Sequence, residues 1–274
     1  MNECYGRHFI LNGELRSAGL FDISFVYEGE SIYEVLRMVD GNPLFFPDHV
    51  ERLASSVKYQ NKELLADSTA LKKDILKLTK SDRIKESNLK IVFNYKNGSS
   101  SYMVYYIEPH YPTEEQYRIG VKGILFFARR KDPESKVIDN ELRSSINDKL
   151  VQEGAYEALL VNENNLITEG SRSNIFFLKD ETLLTAPDNI ILSGITRKYI
   201  LEICRENCIN VELACANISD LSEYDAVFMT GTSPMVLPFC CINDKIFNVK
   251  QPLIQNLRQF YIRKAEESVR LFRH

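Results

Sequence analysis

The first part of the chain reads mainly as strands. Short apolar runs flank Asn12-Gly13 between Arg7 and Leu15, the pattern of a hairpin closed by a two-residue turn. Ser31 to Val39 alternates well enough for a strand, and Asp40-Gly41-Asn42 then turns the chain into Pro43 to Phe46. Asp48 followed by Glu51 looks like a capping-box helix start, with Val50, Leu53, Ala54 and Val57 at helical spacing. A second amphipathic helix is expected over Ser68 to Leu78. Asn88 to Tyr95, Asn97-Gly98 and Ser101 to Glu108 predict a further hairpin. Polar, proline-bearing Pro109 to Glu115 reads as a linker.

Beyond the linker helices and strands mix. Val121 to Ala128 predicts a strand and Glu141 to Gln152 a helix, followed by short strands at Tyr156–Val161, Ile175–Leu178 and Leu183–Thr185. Gly194 to Glu206 has helical spacing, Val211 begins an extended run, Asp225 to Met229 reads as a buried strand, and a helix from Pro252 closes the chain. There is no internal repeat. Strands first, then strands mixed with helices, predict a two-domain α/β (α+β) protein, with a smaller domain over 1–112 and a larger one over 113–274.

At 274 residues the chain can bury two modest cores. A formal net charge of −4 argues against a nucleic-acid partner. No stretch reaches the roughly 18 apolar residues of a membrane span, and no signal peptide is visible at the start, so a cytoplasmic protein is expected. The six cysteines form no CxxC pair and only four histidines are present, so no metal site is expected. Reduced thiols are the expectation.

Several site chemistries have no support. There is no GxxxxGK[ST] loop, no GxGxxG, no GxSxG and no HExxH. Two segments nevertheless suit an anion. Ser193-Gly194-Ile195-Thr196 opens a predicted helix, where free N–H groups favour a phosphate, although a plain helix cap fits as well. Thr230-Gly231-Thr232-Ser233-Pro234 offers hydroxyls after a buried strand, or simply a turn. Arg52 lies among apolar helical positions and by itself reads as a surface ion pair. Thr168-Glu169-Gly170-Ser171-Arg172-Ser173-Asn174 places a carboxylate in a polar turn ahead of an apolar strand, by itself a solvated loop acid.

Taken together, the order YEALL, TEGSxSNIF, LxGITR and FxTGTSxxVxP resembles the fold-type IV (class IV) aminotransferase family, which includes branched-chain and D-amino acid aminotransferases and aminodeoxychorismate lyase. Tyr33-Glu34-Val35-Leu36 and His49-Val50-Glu51-Arg52-Leu53 continue the likeness upstream. The resemblance implies pyridoxal 5′-phosphate as cofactor, a site between the two domains and a homodimer that shares residues across subunits. It also implies a lysine ahead of the YEA segment. Of Lys131, Lys136 and Lys149, Lys136 lies 21 residues before Glu157, which suits the D-amino acid branch. The residues after it, Val-Ile-Asp-Asn, depart from the family pattern.

By resemblance, Lys136 carries the cofactor as a Schiff base and shuttles the substrate proton, an amine's role once desolvation lowers its pKa. Glu169 would hold the pyridine nitrogen protonated. Arg52, the Ile195 backbone, Thr196 and Thr232 would grip the phosphate, with Ser173 and Asn174 supporting the ring. Tyr33 matches a substrate-carboxylate tyrosine, and Tyr106 and His110 are candidates to line the substrate pocket. The Tyr102 to Glu108 strand lacks the arginine expected there. Arg129-Arg130-Lys131 reads as a solvated charge run. Three activities stay open: transfer of an amino group between an amino acid and a 2-keto acid, a lyase of the aminodeoxychorismate type, and a binding module that kept the fold.

Overall fold

The computed structural model describes residues 3–96, 98–130 and 135–273; Asn97 of the expected hairpin turn and Lys131 of the charge run lie outside them. Two compact units emerge, one of residues 1–110, 135–138 and 265–274, the other of 111–134 and 139–264. The chain first leaves the first unit between His110 and Tyr111. The Lys136 segment and the end of the last helix belong to that first unit.

The first unit is a six-stranded antiparallel sheet in the order β2-β1-β6-β5-β3-β4. Its strands are β1 (His8–Leu11), β2 (Glu14–Ser17), β3 (Glu30–Val39), β4 (Asn42–Pro43), β5 (Ser87–Lys96) and β6 (Ser99–Ile107). A single turn, α1 (Ser24–Tyr27), and two longer helices, α2 (Phe46–Tyr59) and α3 (Ser68–Asp82), complete it. Side chains one residue apart on a strand face opposite ways, so each strand feeds two cores. Ile32, Leu36, Leu89, Ile91, Val104 and Tyr106 pack against Leu53, Val57, Leu71, Ile75 and Leu78 of the helices. Tyr33, Val92, Met103 and Tyr105 form the other face with Phe9 and Val26.

Helix α2 departs from its expected start. It begins at Phe46, with Phe45 in the left-handed region (φ 50°) and no side-chain cap, and Asp48 falls inside the first turn. The Phe45 N–H is satisfied by Ser268 Oγ at 3.2 Å, so the capping box is not needed. Helix α3 runs four residues past Leu78. Its Asp67 cap accepts from the Ala70 N–H, and Arg83 ends it in a left-handed conformation.

The second unit is built on a ten-stranded mixed sheet, ordered β12-β11-β10-β14-β15-β7-β8-β9-β13 with β16 beside β15. Its elements are α4 (Glu114–Ile119), β7 (Val121–Phe127), α5 (Asn140–Glu153), β8 (Glu157–Val161), β9 (Leu166–Gly170), β10 (Asn174–Lys179) and β11 (Thr182–Thr185). Then come α6 (Ile195–Glu206), β12 (Val211–Leu213), β13 (Ala216–Asn217), β14 (Ala226–Gly231), β15 (Met235–Ile242), β16 (Lys245–Ile246) and α7 (Pro252–Arg273). Part of the expected linker is instead α4, opened by a true capping box between Thr113 and Gln116. The central strands β8, β10 and β14 are apolar on both faces, which is why they read as continuous hydrophobic runs. Among the described residues no helix is long and apolar enough to cross a membrane, and no cluster of three or more metal-ligating side chains occurs.

Candidate functional site

Lys136 lies on a short extended segment against the edge of β3. Val137 bridges Ile32, the Tyr33 N–H donates to the Lys136 carbonyl at 3.1 Å, and the Ile138 N–H donates to the Ser31 carbonyl at 3.2 Å. From the helix side, Ser56 Oγ of α2 accepts the Lys136 N–H at 3.3 Å. The lysine backbone is therefore fixed on both sides while its ammonium stands 4.8 Å from the Tyr33 ring centroid. The Ser135 hydroxyl just before it is buried and has no hydrogen-bond partner among the described residues.

One strand step away, Glu34 faces α2. Its carboxylate accepts from Arg52 Nε at 2.8 Å, Arg52 Nη2 at 2.7 Å and His49 Nδ1 at 2.8 Å. Burial alone would raise the Glu34 pKa, but the Arg52 charge and these hydrogen bonds outweigh it and hold the carboxyl well below its usual range. Burial pushes the His49 pKa down, against the pull of Glu34 and with the help of Arg52 and Lys136. His49 is thus a neutral donor. Arg52 is no surface arginine; its side chain is 12 % exposed and forked onto a buried acid.

On the opposite sheet face, buried Lys90 stands 5.6 Å from the Tyr33 centroid and 5.8 Å from that of Tyr105. Its ammonium takes the Glu3 carboxylate at 2.7 Å, and the Tyr105 hydroxyl donates to the same carboxylate at 2.8 Å. Tyr106 does not join this group, contrary to the sequence expectation. The one-residue step from Tyr105 turns it to the helix-covered face, where it is fully buried with its hydroxyl 2.9 Å from Thr79 Oγ1. His110 lies exposed beyond the end of β6.

The second unit gathers the remaining candidates. Glu169, at the end of β9, is buried; Arg130 Nε lies 3.3 Å from its Oε1, and the Leu192 N–H donates to its Oε2 at 3.2 Å. Arg130 therefore leaves the supposed solvated charge run. Ser173 gives its hydroxyl to Glu157 at 2.7 Å, and Ser171 adds a backbone N–H to that same acid at 3.1 Å. Asn174 donates to the Leu192 carbonyl at 2.9 Å and pairs Thr230 across β10 and β14. That one residue ties both anion-suited segments together.

Helix α6 starts at Ile195 after Gly194, an N-cap residue with no side chain of its own to meet the first amides. A Cβ on Gly194 would fall 2.0 Å from Asn174 Oδ1, so only glycine lets the turn approach this closely. Thr196 is buried with its hydroxyl 3.2 Å from Tyr261 Oη, and Thr232 lies in the turn between β14 and β15. Arg197 of the same motif is structural: buried, it donates to the Ala186 carbonyl at 2.7 Å and holds the preceding loop. An uncapped helix start, a fixed glycine turn, threonine hydroxyls and a buried carboxylate suit a phosphorylated heterocycle. The first unit holds, by itself, a lysine fixed through its backbone and an arginine forked onto a buried acid.

Sequence reasoning missed Glu34, His49, Lys90, Arg130 and Glu157 as site builders. Glu34 and His49 stood within quoted motifs, and their signal was that each motif pairs an acid or imidazole with a residue expected to bind. Lys90 carried a different one: a lysine inside an apolar strand needs a buried partner.

A family model described as amino-transferase class IV matches residues 31–242. D-alanine aminotransferase of Bacillus licheniformis is 26 % identical over 243 residues, covering 84 % of this chain and 86 % of that protein. Aminodeoxychorismate lyase of Bacillus subtilis is 25 % identical over 242 residues, covering 82 % and 81 %. A solved branched-chain amino acid aminotransferase of T.th., with pyridoxamine 5′-phosphate, shares the fold, with a TM-score of 0.85, 24 % identity and coverage of 96 % and 95 %. With its family motifs, its two sheets and a site that suits a phosphorylated cofactor, the chain belongs to the class IV aminotransferase family of pyridoxal 5′-phosphate enzymes, which holds both transferases and lyases.

Proposed function

We propose that this protein is an aminotransferase that moves an amino group between an amino acid and a 2-keto acid, with Lys136 as its reactive amine. The observation that carries this is the Lys136 segment, whose backbone hydrogen bonds to β3 and α2 fix the lysine while its ammonium stays beside Tyr33. Pyridoxal phosphate supplies an aldehyde that condenses with amines and a ring that accepts the electron pair released at the substrate Cα.

The protein's own residues do the rest. With the cofactor bound, Lys136 Nζ would take the substrate Cα proton as general base and, once protonated, would serve as the general acid that gives it up again. Glu169, held by Arg130, would keep the cofactor's ring nitrogen protonated. Arg52, the Ile195 N–H, Thr196 and Thr232 bind the phosphate, and Ser173 and Asn174 shape the turn around the ring through Glu157 and the Leu192 carbonyl. Tyr33 receives a substrate carboxylate. His110 is assigned to the substrate side, and the active protein to a homodimer.

Titrating the purified protein with pyridoxal phosphate should give a near-visible absorbance band. Particular L- or D-amino acids should bleach it, and a 2-keto acid should restore it. A band whose turnover needs no keto acid would favour the lyase. Sedimentation at micromolar concentration checks the dimer.

A further inference from the structure

Glu34 and His49 have no place in the roles above, yet they are among the most completely buried polar groups of the first unit. Glu34 lies on β3 directly after Tyr33, so it faces α2 while Tyr33 faces away. His49 and Arg52 are three residues apart, hence on one face of that helix, and both reach the same carboxylate. The Tyr33-Glu34 motif and the His49-to-Leu53 motif are thereby one hydrogen-bonded device.

The geometry is specific. Glu34 takes the Nε–Nη2 edge of the guanidinium with both oxygens, a fork that fixes its plane as well as its position. His49 donates from Nδ1 to Glu34 Oε2, which sets the imidazole tautomer and blocks rotation of the carboxylate. Ser56, one further turn along α2, accepts the Lys136 N–H. The helix that carries the arginine is thus also the helix that fixes the lysine backbone.

Two opposite consequences for phosphate binding can be drawn from a buried acid behind Arg52. Its negative charge repels a phosphate dianion, so its removal would tighten binding. Alternatively its grip preorganises the guanidinium, so its removal would weaken binding. The fork holds the guanidinium by its Nε–Nη2 edge and so sets the direction of the whole group, and this ordering is taken to outweigh the repulsion. We propose that Glu34, locked by His49, is the positioning residue that aims Arg52 at the cofactor phosphate; this rests on the cofactor assignment made above.

The test compares two probes that differ only in the phosphate. Dissociation constants for pyridoxal phosphate and for pyridoxal are read from the near-visible band, for wild type and for Glu34→Gln. The expected result is a rise of about ten- to a hundredfold in the constant for pyridoxal phosphate, with the constant for pyridoxal held within about twofold. Equal weakening of both probes, no change, or tighter binding of pyridoxal phosphate would each overturn the proposal. If Glu34→Gln does not fold, Glu34→Asp keeps the charge but withdraws the fork, and the same phosphate-selective loss is expected of it. Wild-type protein that binds neither probe would remove the cofactor assignment, and the inference with it.

Discussion

Arg130 Nε lies 3.3 Å from Glu169 Oε1, so the acid assigned to the cofactor's ring nitrogen is itself held by a guanidinium from the segment after β7. Removing the charged partner of a buried carboxylate costs up to about 3 kcal/mol. Arg130→Met should therefore lower the melting temperature and reduce turnover, both read on the same preparation. Unchanged stability would mean that Arg130 is not what holds Glu169.

Lys136→Ala should abolish the near-visible band while leaving the far-ultraviolet circular dichroism spectrum unchanged. The residue's contacts to β3 and Ser56 are made by its backbone and survive the change. Turnover should fall at least 10²- to 10⁴-fold, roughly the range for loss of a general base. Residual full activity would move the reactive amine elsewhere.

Tyr106→Phe separates the two faces of the first sheet. It removes only the contact to Thr79, so a stability loss of about 0.5–1.5 kcal/mol is expected in urea unfolding. KM for amino acid and keto acid should not move. Tyr33→Phe, on the other face, should raise KM with little change in stability.

Gly194→Ala tests the close approach that opens α6. The added methyl would lie 2.0 Å from Asn174 Oδ1 and displace the amide from the Leu192 carbonyl. An overpacking cost of about 1–3 kcal/mol follows, together with weaker binding of pyridoxal phosphate. A crystal structure of the variant with the Asn174–Leu192 bond intact would contradict this.

Acid sensitivity should trace to Glu34 and His49. Glu34 is depressed in the folded protein, so its stabilisation is complete above its ordinary value of 4.5 and is lost as pH falls below that toward the folded value. His49 is depressed too; below its ordinary 6.5 the unfolded chain binds a proton that the folded one refuses, so stability declines as pH drops. His49→Gln should flatten the stability profile just below pH 6.5, measured by urea midpoints across pH. A profile parallel to wild type would sink the assignment.

Much of this is legible in the chain. Period-two alternation gives β3, β5 and β6 to within a residue or two at most ends, and the family motifs lead to Lys136, Glu169 and Gly194. Tyr106 is easily misread because strand register decides which of two adjacent tyrosines faces the site, and register depends on Val35, Lys90 and Tyr105 aligning across three strands. Arg52 and Arg130 look like surface charges because their partners, Glu34 and Glu169, are remote in sequence. The start of α2 escapes because Phe45 adopts a left-handed backbone there, with its N–H met by Ser268, 223 positions away.

The hydrogen bond from the Lys136 N–H to Ser56 Oγ joins residues 80 positions apart. A lysine placed in this way acquires its address only when a long loop has closed, and loop closure of that size is slow compared with forming a helix or a hairpin. Refolding from urea should thus restore helical ellipticity before it restores a cofactor-reactive amine. Partly folded chains of this protein are expected to stay chemically silent toward the aldehyde.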